Sequence, residues 1–256
     1  KKEISLLKKL LTNFTKDTIN NSPEIFDDHQ KQISKMCKIY SEINFKINNS
    51  KKDYVTLLTG AEHLLKNCKK LGTLPFSSMA RLAFIATAIL RSLEHSEKIK
   101  SSDIDSFMNS IYSPLSEIQY DYSSYVKKII SRKEFLQKYG HLRPGTYDIT
   151  ALRYDQQSRL FDNLGHFHNV KKIKLNNESI KFEKILKNSN FELKLSFDKF
   201  SRKSIMMREK IKFEFTKGLS DALELIIIAV KQLGITKEEV AFLDLQTIFK
   251  NKNLNF

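Results

Sequence analysis

Residues 51–72, KKDYVTLLTGAEHLLKNCKKLG, decide the fold class. Tyr54, Leu57, Leu58, Ala61, Leu64, Leu65 and Cys68 are apolar at intervals of three and four, the spacing of one face of an α-helix. Gly72 stands where such a helix is expected to stop. The segment that follows, PFSSMARLAFIATAILRSLEHS (75–96), opens with Pro75 and is apolar almost all round its middle, which predicts the most buried helix of the domain.

The same reading extends outward along the chain. Residues 3–13 and 23–48 read as helices, the second with Ser22 as N-cap and Pro23 in the first helical position. Residues 101–140 read as a helix interrupted at Pro114, then a long helix and a short one ending at Gly140. Their stripe of Phe107, Ile111, Leu115, Ile118, Tyr122 and Tyr125 is expected in the core. Residues 156–200 are the least regular, with an extended piece that Asn177 caps into a helix. Residues 200–235 read as one long helix ending at Gly234, and Thr236 with Glu239 fits a capping box for a short terminal element. The expectation is an all-α fold: one irregular multi-helix domain over residues 1–256, with a single ordered loop and a long helix towards the C-terminus.

The 256 residues include only 4 Pro and 7 Gly, which favours helices over a turn-rich sandwich. The first residues, KKEISLLKKLL, have helical apolar spacing with acidic residues soon after, so a packed first helix is expected rather than a targeting sequence. The longest uninterrupted apolar run, LIIIAV at 225–230, is a third of what a membrane crossing needs, so no transmembrane helix is expected. Cys37 and Cys68 are isolated thiols in apolar helical contexts, which suits a reducing cytoplasm and small buried hydrophobes better than a disulfide. The chain lacks an initiating Met and stops abruptly at KNKNLNF, so it is expected to be a piece of a longer protein.

The net charge of +15 raises the possibility of a nucleic-acid partner. Against it, the excess is almost all Lys and is spread over every helix, without the clustered basic face and interleaved aromatics of a nucleic-acid binder. A solvated basic surface that steers anionic ligands is the reading kept. His63 and His95 lie on helices with no metal-ligand spacing, and His166 with His168 in GHFHNV has no third ligand in view, so no metal is expected.

The helical pattern breaks at residues 139–155, YGHLRPGTYDITALRYD, where a His, two Arg, two Asp, a Pro and two Gly come together. Helix interiors exclude Pro and disfavour Gly, so this is an ordered loop, the kind of place where a rigid scaffold carries polar chemistry. His141 has an ordinary pKa near neutrality and suits proton transfer. Arg143 can grip a carboxylate or phosphate with paired hydrogen bonds, and Asp148 can fix an amine or orient an Arg. The competing reading is that Arg143, Asp148 and Arg153 form an ion-pair network that only holds the loop's shape. Elsewhere, Arg208 and Lys212 lie four residues apart on one helical face, beside an apolar stripe of Met207, Ile211 and Phe215. They read either as an exposed basic pair or as a two-cation clamp for an anion, with Glu209 as an orienting partner for Arg208.

Four segments carry a resemblance: PFSSMARLAFIATAILRSL, KEFLQKYGHLRPGTYDITALRYD, REKIKFEFTKGLSDAL and AFLDLQTIF. In order and spacing they resemble the middle region of phosphoenolpyruvate-synthase-like phosphotransferases, the family that includes rifampicin phosphotransferase. The likeness covers roughly residues 75–250 and is most specific at GHLRPGTYDI and RExxKF. It implies a central acceptor-binding helical domain of a larger, cytoplasmic kinase-like enzyme. There an ATP-grasp domain, holding ATP and Mg, phosphorylates a histidine on a swivelling domain, and the phosphohistidine passes the group to an acceptor. No Gly-rich ATP-grasp loop and no carrier-type histidine is present in this chain, so the isolated chain is expected to bind acceptor and not to turn over.

The resemblance carries over Arg208 and Lys212 as charge stabilisers; together with the loop's own chemistry this gives His141, Arg208 and Lys212 as the expected catalytic groups, and Arg143, Tyr147, Asp148 and Arg153 as the expected acceptor-binding groups. Neither a cofactor nor a metal is implied for this domain, and the partners are a small polar metabolite and the two other domains. Pyruvate-using synthases more often read GHRGPGE, so the displaced Arg and Thr146 point away from pyruvate. The GHLRPGTYDI variant resembles members found with surface-polysaccharide functions, including L-glutamine kinases that phosphorylate the side-chain amide for phosphoramidate modification of capsular polysaccharide. A non-catalytic helical scaffold of the same fold is the alternative, and a basic nucleic-acid-binding domain the third.

Overall fold

A computed structural model describes residues 2–157 and 182–250. The fold is all-α: 76% of the described residues are helical, and no strand occurs among them. In order come α1 (Lys2–Asn20), α2 (Ser22–Asn48), α3 (Tyr54–Cys68), a π-turn (Lys69–Thr73), α4 (Leu74–His95), α5 (Ser101–Asn109), α6 (Pro114–Val126) and α7 (Arg132–Tyr139). The loop follows and closes on a 3-10 turn (Tyr154–Gln156). Then come α8 (Phe182–Lys187), the long α9 (Phe197–Lys231), α10 (Lys237–Val240) and α11 (Leu245–Lys250). His166, His168 and Asn177 lie outside the described residues.

The described residues gather into two compact units: 2–31, 75–116 and 182–210 in the first, and 32–74, 117–157 and 211–250 in the second. In the first unit, Phe107, Phe182, Phe197, Phe200 and Phe26 form a chain of ring contacts. Arg202 lies over the Phe107 ring and donates to the Ser110 hydroxyl at 2.6 Å.

The second unit has two apolar clusters. Leu57, Leu58, Ala61 and Leu64 of α3 pack with Ala222, Ile226, Ala229 and Val230 of α9. The spacing read from residues 51–72 therefore marks the buried face of α3 correctly. A smaller aromatic cluster joins Tyr122 of α6 to Phe135 and Tyr139 of α7. Hydroxyl and carboxylate caps begin the helices: Ser131 and Glu134 for α7, Thr236 and Glu239 for α10, and Asp53 for α3, whose carboxylate accepts from the Thr56 amide.

Several local expectations are corrected. Gly72 does not stop a helix: the π-turn carries α3 directly into α4, and Gly72 is buried within it. A Cβ at this position would lie 2.8 Å from the Phe215 Cβ and 3.1 Å from the Met36 sulfur, so the glycine is there for close packing. Gly72→Val is expected to lower stability by about 1–3 kcal/mol through overpacking, against a helix-propensity gain below about 1 kcal/mol. A urea-unfolding midpoint equal to the parent's would refute that packing role.

α4 is buried on one face only, with Phe84 and Leu74 each 61% exposed. Ser22 is the first residue of α2 rather than a cap, and its buried hydroxyl has no hydrogen-bond partner. Pro114 separates two helices and begins the second, where its missing N–H costs nothing. The expected core stripe breaks at Leu115, which is 56% exposed. α9 ends at Lys231, and Gly234 takes the left-handed conformation beyond it, with φ of 78°.

α1 is helical over 19 residues but is not packed along its apolar stripe: Ile4, Leu6, Leu7, Leu10, Leu11 and Phe14 are all 56–70% exposed. Its buried residue is Ile19, near the C-terminal end. One helical stretch, Tyr54–His95, is long and apolar enough to cross a membrane by length and composition, with an 18-residue window of mean hydropathy 1.4, a third of it buried. A window average tolerates scattered Ser, Thr and Arg that a count of uninterrupted runs does not, and a core helix passes the same test.

Candidate functional site

The loop between α7 and the 3-10 turn lies within the second unit and is closed by main-chain pairs. Tyr154 N donates to Leu142 O at 2.7 Å, and Asp155 N donates to Gly140 O at 3.2 Å. Gly140 is required by this closure, since a Cβ there would meet the Leu136 carbonyl oxygen and, at 3.1 Å, the Asp155 side chain. Leu142 and Tyr154 pack on the aromatic cluster and Ile149 packs on the aliphatic one. The loop is thus seated on both clusters.

Arg143 is the centre of the loop. Its guanidinium is 1% exposed and forms an ion pair with Glu224 of α9 at 2.8 Å. Nε donates to the Ser220 hydroxyl at 3.2 Å, and one terminal nitrogen donates to the carbonyls of Asp148 and Ala151 at 3.2 and 3.1 Å. The other terminal nitrogen reaches the Ser220 carbonyl at 3.4 Å as well as Glu224. All five donors of the guanidinium are therefore engaged within the unit. This arrangement supports the competing reading of Arg143, an ion-pair network that holds the loop's shape, since a fork with no donor to spare has none left for a ligand carboxylate.

Arg153 is anchored too, through three of its donors. It pairs with Asp221 of α9 at 2.7 Å and with Asp155 at 2.9 Å. Asp221 also accepts from the Tyr40 hydroxyl at 2.5 Å. Burial, reinforced by Asp221, pushes the Tyr40 phenol well above its ordinary pKa, so Tyr40 remains a donor. Ser220, Asp221 and Glu224 sit on neighbouring turns of α9, and these anchors were missed in the sequence. The hydrophilic positions of SDALEL were the available signal, but they lie 68 to 81 residues from their partners in the loop.

Asp148 does not pair with Arg143 through its side chain. Its carboxylate accepts from the Thr150 amide at 2.8 Å and the Thr150 hydroxyl at 2.7 Å. These bonds hold the carboxyl below the usual range. Asp148 and Tyr147 are exposed at the loop's tip.

His141 is 4% exposed, its ring set edge-on against Phe213 with centroids 5.0 Å apart. Its main-chain carbonyl accepts from the Ser220 hydroxyl at 2.6 Å. Nε2 is buried and has no hydrogen-bond partner. Burial lowers the pKa of the imidazole to about 4; Lys217 acts in the same direction and Asp221 partly offsets it. The expected near-neutral pKa is thus corrected: the ring is neutral at pH 7, its free nitrogen is an acceptor, and it is a weak base.

Lys217, not Lys212, is the lysine whose charge bears on His141. Lys212 is exposed, and its ammonium forms no ion pair among the described residues. Arg208, one turn before Lys212 on α9, donates to its neighbour Glu209 at 2.7 Å and lies 5.9 Å from the centroid of the Phe84 ring. The orienting role anticipated for Glu209 has this contact behind it. Buried Nε of Arg208 has no partner.

Family models, curated proteins and solved structures yield no match to the chain. The site is accordingly read from its own chemistry. No group of three or more His, Cys, Asp or Glu able to hold a metal occurs among the described residues. The two thiols are not chemically prominent: Cys68 is buried, which raises its pKa to about 11, and Cys37 is half-buried.

Proposed function

We propose that this chain is the helical acceptor-binding domain of an ATP-dependent phosphotransferase working through a phosphohistidine. Its acceptor is a small polar metabolite, with the side-chain amide of L-glutamine the leading candidate. The observation that supports this best is His141: a neutral, water-excluded imidazole with an unpartnered Nε2, held in a loop whose two arginines are locked to α9. A preorganised acceptor of this kind suits a nucleophile that must present an N–H or O–H and lose its proton during transfer.

In the transfer, the N–P bond of the phosphohistidine breaks and an N–P bond to the amide nitrogen forms. The proton of that nitrogen leaves towards Nε2 or solvent. The low basicity of His141 makes it an orienting acceptor first. Because Nε2 is enclosed, an acceptor must displace a covering side chain to reach it. Asp148, ionised and exposed, suits an ammonium group; the metabolite's carboxylate requires a cation other than Arg143, whose donors are all taken. Arg208 and Lys212 are the cations proposed for the phosphoryl group in flight, where charge stabilisation dominates.

The test is thermal denaturation with millimolar L-glutamine, pyruvate, sugars and sugar nucleotides, on the parent chain and on Asp148→Asn. A ligand at a hundred times its Kd adds about 2.7 kcal/mol, a rise of roughly 5–10 °C. A shift with L-glutamine alone, lost in the Asp148 variant, supports the full reading. A shift with another metabolite keeps the domain and changes the substrate. No shift with any of them favours a helical scaffold, for which the exposed apolar stripe of α1 is the specific support.

A further inference from the structure

A cavity of the second unit, remote in sequence from the loop, has the make-up of a ligand site. About 340 Å³ in volume, it lies between α2 and the α3–π-turn segment. Lys35, Ile39, Glu42, Ile43 and Lys46 contribute one face of α2; His63, Lys66, Asn67, Lys70 and Leu71 contribute the facing stripe. Each set follows helical spacing, so the cavity is a groove between two helix faces. Asn67 Nδ2 donates to the Met36 carbonyl at 2.9 Å, and Ile47 packs on Gly60. These two contacts fix the helices as antiparallel, bringing Lys35 and Lys70 to one end of the groove and Lys46 and His63 to the other.

The lining pairs an apolar floor with unneutralised charge. Ile39, Ile43 and Leu71 are half-buried, and Ile43 rests on the aliphatic cluster. Lys66 is engaged with Glu62 at 2.6 Å, whereas the ammonium groups of Lys35, Lys46 and Lys70 have no ion pair among the described residues. Glu42 is the one acidic side chain in the wall. Asn67 is 7% exposed, and its Oδ1 accepts no hydrogen bond. A buried amide oxygen without a donor is costly, and an N–H or O–H that reaches it past the groups enclosing it would satisfy it.

We propose that this groove binds a small organic anion: its apolar or aromatic body on Ile39, Ile43 and Leu71, its acidic group between Lys35 and Lys70, and an N–H or O–H on Asn67 Oδ1. The volume falls in the range of small-molecule pockets, and an apolar floor with a few convergent polar groups is their usual composition. The site is independent of the loop and does not rest on the proposed phosphotransfer.

Anilinonaphthalene sulfonate has all three features, a fused aromatic body, one anionic group and one N–H, and it fluoresces on leaving water. The parent chain is expected to bind it saturably. Lys35→Glu with Lys70→Glu is expected to weaken binding by about tenfold or more, since both attractive charges become repulsive. Both lysines are exposed, so the melting temperature and helical circular dichroism should stay at parent values. Lys8→Glu with Lys9→Glu, an equal change of net charge on α1, is expected to leave the affinity unchanged. So is Leu7→Ser with Leu11→Ser, which interrupts the exposed stripe of α1, a competing dye site. Unsaturable binding, affinity indifferent to Lys35 and Lys70, or a signal that vanishes with the α1 substitutions would each overturn the site.

Discussion

Arg143→Ala is expected to destabilise the chain by about 3–5 kcal/mol, because it leaves Glu224 without its buried partner and strips donors from the Ser220, Asp148 and Ala151 oxygens. At about 2–4 °C per kcal/mol for a chain near this size, the melting temperature should fall by roughly 10 °C. Arg143→Lys keeps the charge but replaces a planar fork by a single ammonium, which cannot serve Glu224, Ser220 and two carbonyls together, so it should restore only part of the loss. The double variant Arg143→Ala with Glu224→Ala should cost less than the two single losses added. A melting temperature for Arg143→Ala within a degree or two of the parent would show that the loop is held by other contacts. The consequence for function is direct: weakened ligand binding in an Arg143 variant would report a loosened loop, not a lost ligand contact.

The second large effect is on acid stability. The folded-state pKa of His141 is lowered from 6.5 to about 4, so over that interval the unfolded chain binds the proton and the folded chain does not. Stability is therefore complete above about pH 6.5 and falls as the pH drops towards 4, by about 3 kcal/mol over the whole interval. Roughly two-thirds of that, about 2 kcal/mol, should be gone by pH 5. Burial lowers the pKa of His29 as well, and that group acts with the same sign. The capping carboxylates Asp53, Glu134 and Glu239 have pKa values below their ordinary range, so their contribution is lost only at lower pH. Urea unfolding of the parent and of His141→Gln at pH 7 and pH 5 separates these groups. The parent should lose more stability than the variant between the two pH values, and equal losses would contradict a buried neutral His141.

Much of the helical scaffold was legible because it depends on neighbours close in sequence. The three-and-four spacing of Leu57, Leu58, Ala61 and Leu64 marks a buried face, and Thr236 with Glu239 forms its capping box. The break at residues 139–155 was legible for the same reason, since Pro and Gly act locally. What the sequence concealed depends on distant partners. The state of Arg143 is set by Ser220 and Glu224, and that of His141 by its burial, Phe213 and Lys217. Of the proposed site residues, the loop set is brought together as a segment, yet its two arginines face inward to α9 and only Tyr147 and Asp148 lie open at the tip. Gly72 shows the limit in miniature: a helix-stopping residue by rule, it is a spacer for Phe215 that no local pattern reveals.

The anchoring of the loop also sets which charges of this chain are free to drift. Cations outnumber acids 44 to 29, and most of the surplus is lysine on open helix faces. The loop, by contrast, relies on two arginines and on Asp155, Asp221 and Glu224, drawn from the minority sign. Exchange of a surface lysine leaves many equivalents behind, whereas neutralising Asp221 at once unsettles Tyr40 and Arg153. The chain's tolerance to mutation is therefore lopsided, broad for its basic residues and narrow for a few acidic ones.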